Sequence, residues 1–156
     1  MNRTYTREKF IETVKKLRWA PDIVHCHGWF TSLLPLYLKK TFYEDPLFAN
    51  AKVVYSLYNN GFETPFSKDF ANKIHFDGIT SEDIASIKEK ADWLNLNKLA
   101  IDQSEGIILG EENINKDLLQ YCKDKGKVIL PYQGQENYVD AYSDFYDSLL
   151  PDIEEE

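Results

Sequence analysis

Two histidines and a cysteine alternate at His25-Cys26-His27, and Gly28-Trp29-Phe30-Thr31 follow directly. Imidazole and thiol are the side chains that bind metals, move protons or attack as nucleophiles near neutral pH. The run is preceded by Pro21-Asp22-Ile23-Val24, a short apolar stretch that reads as a strand leading into a loop and then a helix. Along a strand the side chains alternate, so His25 and His27 project to one face and Cys26 to the other. A thiol and an imidazole on opposite faces cannot share a proton, which removes a catalytic Cys–His pair. A metal site needs a third ligand, and only the distant His75 or dispersed acids are available. The residues therefore predict hydrogen-bonded structural histidines and no metal.

The elements that must hold this stretch alternate between helix and strand patterns. Phe10, Ile11, Val14 and Leu17 form a helical stripe with Thr6 as its N-cap, broken by Pro21-Asp22. A buried strand over 23–26 is followed by a helix over about 31–40, in which Pro35 is tolerable only near the first turn. Phe42 to Pro46 reads as a loop and residues 52–57 as the next strand. Between Asn59 and Asp77 the pattern dissolves into Gly, Asn, Pro and aromatics, with one short helix near 68–74; such an insertion tends to form a ligand-facing surface. Thr80-Ser81-Glu82-Asp83 opens a helix carrying Ile84 and Ile87, and Trp93, Leu96 and Ala100 stripe another. Residues 106–109 and 127–130 are strands; between them Ile114, Leu118, Tyr121 and Cys122 stripe a helix that Lys125-Gly126 ends. Tyr138, Tyr142, Phe145 and Leu149 stripe a final helix. Strands joined by helical crossovers predict an α/β, Rossmann-like parallel sheet with helices on both faces. The domain reads as residues 1–150, incomplete on its N-terminal side, with an acidic tail over 151–156.

At 156 residues the chain has the size of one domain. No apolar run approaches the ~20 residues that cross a bilayer, and Lys9, Lys15 and Lys16 interrupt any leader-like segment. A cytoplasmic protein with no membrane partner is expected, its Cys26 and Cys122 reduced and packed in the core. The net charge of −8 argues against nucleic acid. No basic residue follows Lys127, while Glu136, Asp140, Asp144, Asp147, Asp152 and Glu154 to Glu156 accumulate, which reads as a solvated helix face and a frayed tail.

The stretch from Pro21 to Leu38 resembles the glycogen and starch synthase family, whose members carry Pro-Asp-(Ile/Val)-Val-His-(Ala/Cys)-His-Asp-Trp-His at the matching place. Val53-Val54-Tyr55-Ser56-Leu57-Tyr58-Asn59-Asn60 is similar to the family's Val-Phe-Thr-(Ile/Val)-His-Asn segment, and residues 94–109 match a third, weaker one. The resemblance implies half of a GT-B fold, in which two Rossmann-like domains face across a cleft. It implies a retaining hexosyltransferase of glycogen biosynthesis that moves glucose from ADP-glucose to an α-1,4-glucan, with no cofactor beyond that donor substrate.

Carried over residue by residue, the family's loop Asp falls on Gly28, its second-helix His on Phe30, and the His of its His-Asn pair on Tyr58. His27, Trp29 and Asn59 match. His27, Gly28, Trp29, Tyr58 and Asn59 are thus the candidate substrate-binding residues, and none is expected to be catalytic. Losing a group that stabilises developing charge typically costs ~2.7–4 kcal/mol. The family's Lys-x-Gly-Gly-Leu loop is absent from the sequence. The expectation is a partial or degenerate glycosyltransferase domain, inactive as this chain; the alternative is a non-catalytic binding or assembly module. α-Glucan or sugar nucleotide are the expected ligands, and a homodimer or the remainder of a longer chain the expected partner. Trp29 and Phe30 could stack on a sugar or fill space, and packing is favoured. Tyr58 is expected to pack against Trp29 or Phe30, Asn59-Asn60-Gly61 to form a turn, and Glu111-Glu112 to favour the N-terminus of the helix that follows.

Overall fold

The computed structural model describes Glu12, Lys16, residues 21–61, Phe66, Phe70 and residues 78–151. The N-terminal stripe from Phe10 to Leu17, its Thr6 cap, His75 and most of the short helix near 68–74 lie outside the described residues. Strands β1 (Ile23–His27), β2 (Lys52–Leu57), β3 (Gly106–Leu109) and β4 (Val128–Leu130) form one parallel sheet in the order β1-β2-β3-β4. Val24 sits beside Val53, Tyr55 beside Ile107 and Ile107 beside Ile129.

Spatial order that follows chain order has a consequence. Right-handed crossovers stepping always in one direction must all lie on the same face of the sheet. That face takes α1 (Leu33–Leu36), α3 (Trp93–Asp102) and α4 (Lys116–Asp124), while α2 (Ala85–Glu89) packs on α3. Val24, Cys26, Val53, Tyr55, Leu57 and Ile107 meet Leu34, Leu38, Ala100, Ile101, Leu118 and Cys122 there. A second apolar layer, with Leu36, Ile84, Ile87, Leu96 and Leu99, joins α1, α2 and α3. The opposite face falls to α5 (Tyr138–Leu149), whose Phe145 closes over Val54 and Ile108. Helices therefore cover both faces, as the alternating patterns predict, but they are divided unequally.

Local chemistry sets the helix boundaries. Pro35 lies in the single turn of α1, where its missing N–H costs least. The helix then widens into a π turn over Tyr37–Thr41, closed by Phe42 N–H donating to the Tyr37 carbonyl at 2.9 Å. Thr80 and Asp83 cap each other ahead of α2, with Thr80 N–H donating to Asp83 Oδ2 at 2.8 Å and Asp83 N–H to Thr80 Oγ1 at 3.2 Å. Asp92 accepts from Asn95 N–H at the start of α3, and Asn115 from Asp117 and Leu118 N–H at the start of α4. Gly126, at φ 66°, supplies the left-handed residue after α4. The buried Asn97 in α3 accepts from the Tyr55 hydroxyl at 2.8 Å and donates to the Trp93 carbonyl at 2.8 Å, so no amide atom is left wanting.

Both cysteines are free and buried, on the face away from the histidines. Burial pushes the Cys26 thiol up to about 12 and the Cys122 thiol up to about 11, so neither is a nucleophile at neutral pH.

Candidate functional site

Ligands in open parallel sheets bind beyond the carboxyl ends of the strands. β1 ends at His27, and Gly28 N–H still donates to the Ser56 carbonyl at 3.1 Å. The chain then turns sharply through Trp29–Thr31 into α1. Thr31 fastens the turn, its hydroxyl donating to the Gly28 carbonyl at 2.9 Å and the His27 carbonyl at 3.1 Å. Gly28 has φ 72° and ψ 169°. That region of backbone space is closed to residues with a Cβ, since the side chain clashes with its own backbone. The nearest atoms to a Cβ there would be the Phe30 ring at 3.4 Å and the Tyr58 ring at 3.8 Å, ordinary contact distances, so the restriction is conformational rather than one of space.

The two histidines share one face and stack, ring centroids 4.0 Å apart and planes 25° from parallel. His25 is held between two hydroxyls: Nε2 is 2.5 Å from Ser56 Oγ and Nδ1 is 2.6 Å from Tyr146 Oη of α5. One hydroxyl donates and the other accepts, which suits a neutral imidazole. Burial, reinforced by His27, pushes the His25 ring down to about 3; desolvation lowers His27 as well. His25 is a post that ties α5 to β1 and β2. Outermost of the pair is His27, with Nδ1 3.2 Å from the Tyr58 hydroxyl.

A pH dependence follows. Unfolded histidine titrates near 6.5, so below that pH the unfolded chain takes up a proton that folded His25 refuses. Stability is full above pH 6.5 and falls as pH drops toward 3. Between pH 7.5 and 5 the His25 contribution amounts to about 1–2 kcal/mol, allowing for its partial exposure. Urea unfolding of wild type and His25→Asn at both pH values measures it. The gap between the two proteins should narrow by that amount at pH 5; a constant gap means that His25 titrates as it does in water.

Tyr58 borders the same space over Gly28 as Phe30, one of its two expected neighbours, both rings within 4 Å of an added Gly28 Cβ. Its ring sits against Gly110, where an added Cβ would come within 2.4 Å of it, and its hydroxyl turns to His27. The smallness of Gly110 is what draws the ring toward β3. Trp29 is half-buried, edge-on to Phe30 at 6.4 Å and 6.4 Å from Phe66, while Phe30 is 51% exposed. Asn59 is a clip between loops: its Oδ1 accepts from Asn115 N–H at 2.8 Å, its Nδ2 donates to the Asn113 carbonyl, and its N–H donates to Glu111 Oε2 at 3.2 Å. Glu111 therefore holds the β2 loop rather than the first turn of α4, which begins five residues later with Asp117 as its acid. Trp93 Nε1–H donates to the Asn60 carbonyl at 3.1 Å, and an added Cβ on Gly61 would come within 2.6 Å of the same indole.

The structure thus gathers His27, Gly28 and Tyr58 at one point, with Trp29 beside them and Asn59 turned into the neighbouring loop. Sequence reasoning missed Tyr146 and Ser56, the partners of His25. The i, i+4 recurrence of tyrosines at 138, 142 and 146 was the available signal. Among the described residues no three His, Cys, Asp or Glu side chains converge as a metal site, and no helix is long and apolar enough to cross a membrane. At the opposite, amino end of the strands lies a groove of about 410 Å³ lined by Lys39, Lys40, Lys125 and Lys127. Each of these lysines already meets an acid or a carbonyl: Glu105, Asp83, Asp102, and the Asp102 and Ser104 carbonyls respectively.

Residues 4–127 match the family described as starch synthase catalytic domain. The chain is 31% identical over 109 residues to the glycogen synthase of Clostridium perfringens, an alignment covering 69% of this chain and 22% of that protein. It is 43% identical over 49 residues to the glycogen synthase of Chlorobium limicola (31% and 10%), and 35% over 66 residues to that of Desulfitobacterium hafniense (42% and 14%). The aligned part of the chain thus spans about a fifth, or less, of these relatives' length. β4 and α5 lie beyond the matched residues.

Proposed function

The chain belongs to the starch synthase catalytic domain family, and on that premise we propose that it keeps the family's scaffold without the family's glucose transfer. The observation that carries this reading is Gly28. Where the family resemblance calls for a carboxylate facing the transferred sugar, this chain has no side chain, and its backbone has settled where only glycine is comfortable. Tyr58 deepens the loss. It offers a phenol in place of the imidazole, and that phenol is engaged by His27. A transition state with developing positive charge on the sugar finds neither a negative group nor a near-neutral acid-base at these positions.

Transfer of glucose from ADP-glucose to an α-1,4-glucan is the family activity implied by resemblance, and this chain on its own is read as inactive in it. Its role is that of a binding or assembly module, in a cytoplasmic setting where Cys26 and Cys122 stay reduced. Incubation with labelled ADP-glucose and glycogen should give no incorporation, even at high protein concentration. The double variant Gly28→Asp, Tyr58→His should stay inactive. It should also lose about 1–3 kcal/mol of stability, because the aspartate must be forced into φ 72°, ψ 169° or must displace the turn. ADP-glucose-dependent product from either protein would overturn the reading.

A further inference from the structure

The groove at the amino end of the strands lies at the opposite pole of the sheet from His27, Gly28 and Tyr58, and two separate segments bring four lysines to it. Lys39 and Lys40 come from the π turn after α1, and Lys125 and Lys127 flank Gly126 after α4. A π turn holds more residues than an α-helical one, so successive side chains diverge less, and such turns recur at functional sites. Here it sends both Lys39 and Lys40 into one groove. Gly126 leaves the other rim open, since an added Cβ would have no atom within 4 Å.

Two carboxylates, Asp102 and Glu105, share the groove with these ammonium groups, and both are engaged. Glu105 bonds Lys39 and accepts the Val53 N–H at 2.6 Å. Asp102 accepts the Tyr121 hydroxyl at 2.6 Å and stands 3.9 Å from Lys125, while Lys40 is balanced by Asp83 at 3.3 Å. Lys127 is different. Its Nζ donates to the Ser104 carbonyl at 2.9 Å and the Asp102 carbonyl at 3.2 Å, and among the described residues no carboxylate lies within ion-pair distance of it. Carbonyls at the end of α3 fix the ammonium in place but leave its charge uncancelled and a third N–H without an acceptor. The Gln103 carboxamide also lines the groove and has no hydrogen-bond partner among the described residues. In a chain of net charge −8, a walled surplus of positive charge selects an anion.

We propose that this groove binds a compact oxyanion of the phosphate class, free or carried by a small metabolite, with Lys125 and Lys127 supplying the charge and Gln103 a neutral donor. Phosphate presents acceptor oxygens on every side, which suits ammonium groups acting as point charges. A volume of about 410 Å³ matches a small molecule. Lys39 and Lys40 build the wall through their own ion pairs, so the binding charge rests on the pair that flanks Gly126. The site stands apart from the sugar-facing end of the sheet and holds whether or not the chain transfers glucose.

The test titrates inorganic phosphate and glycerol phosphate into the full chain by calorimetry, with sodium chloride adjusted to hold ionic strength constant. Saturable binding is expected. Inorganic phosphate binding alone supports the site with a free anion as its ligand, and tighter binding of the monoester supports it with a phosphorylated metabolite. Lys125→Gln with Lys127→Gln should weaken binding on the order of tenfold, while Lys116→Gln, exposed on α4 outside the groove, leaves it unchanged. Because Lys127 also holds two carbonyls, Lys125→Gln alone is the second variant. Its side chain is 50% exposed, so it should weaken binding several-fold with the ligand-free thermal midpoint unchanged. Absence of saturable binding, a response that chloride reproduces at equal ionic strength, or wild-type affinity in both variants overturns the site. Equal weakening by Lys116→Gln overturns it too, by marking a general effect of surface charge. None of these measurements reads glucose transfer, which is judged by product from ADP-glucose.

Discussion

Replacing Phe145 with alanine is expected to lower folding stability by about 3–5 kcal/mol, read as a drop in the urea midpoint at unchanged slope. Phe145 is 7% exposed and, with Val54 and Ile108, makes up the fully buried layer between α5 and the sheet. Around these three lie half-buried Ile23, Leu130, Tyr142, Tyr146 and Leu149, which cannot flow into a vacated ring without losing their own contacts. Gly106 beneath confirms how close the helix approaches. A Cβ there would fall 2.9 Å from the Phe145 ring and 2.7 Å from Leu149 Cδ1. Against a typical total of about 5–15 kcal/mol the loss is severe. Hydrogen exchange should show α5 opening before α4, and His25 should lose its Tyr146 hydroxyl with it. A cost under about 1 kcal/mol would mean that α5 does not clamp this face.

Gly78→Ala should be comparably damaging for a different reason, at about 3 kcal/mol or more. Gly78 has φ +87°, and a Cβ would sit 2.1 Å from the Lys40 carbonyl oxygen and 2.9 Å from its carbon. The obstacle is backbone of the π turn, whose position is tied by the Phe42 to Tyr37 bond and by Lys40 Nζ at 3.3 Å from Asp83. On the other side Ile79 is anchored in the core between α1 and α2. Gly126→Ala is the control. It shares a positive φ of +66° but has nothing within 4 Å of its added Cβ, so it should cost only about 1 kcal/mol. Equal thermal shifts for the two variants would mean that strain alone decides and that the close approach to Lys40 is absent.

Much of the architecture was legible because it depends on local periodicity. Among the described residues, period-2 apolar patterns place the four strands within a residue and Lys125-Gly126 marks the end of α4, whereas the helix read as opening at Thr80–Asp83 begins at Ala85. The alternation that put His25 and His27 opposite Cys26 holds for the same reason. Tyr58, which borders the same space over Gly28 as Phe30, also took Gly110 and His27 as neighbours, and Glu111 took the Asn59 N–H. Composition says that a tyrosine will pack and a glutamate will find a donor. Which neighbour each takes depends on the gap left by Gly110 and on the path of the 110–115 loop.

By itself the sequence determined the α/β layering, the family, the replacement of a carboxylate by Gly28 and of an imidazole by Tyr58, and the lack of basic residues after Lys127. Only the tertiary structure decided that Gly28 occupies a backbone region closed to aspartate, and that His25 is fastened by Tyr146, 121 residues away. It also decided that the α5 tyrosines line up with His27 and Tyr58. The reason is that side-chain type and spacing are properties of neighbours along the chain. Backbone strain and the pairing of distant faces arise only once strand order sends every crossover to one side of the sheet and leaves the other to α5.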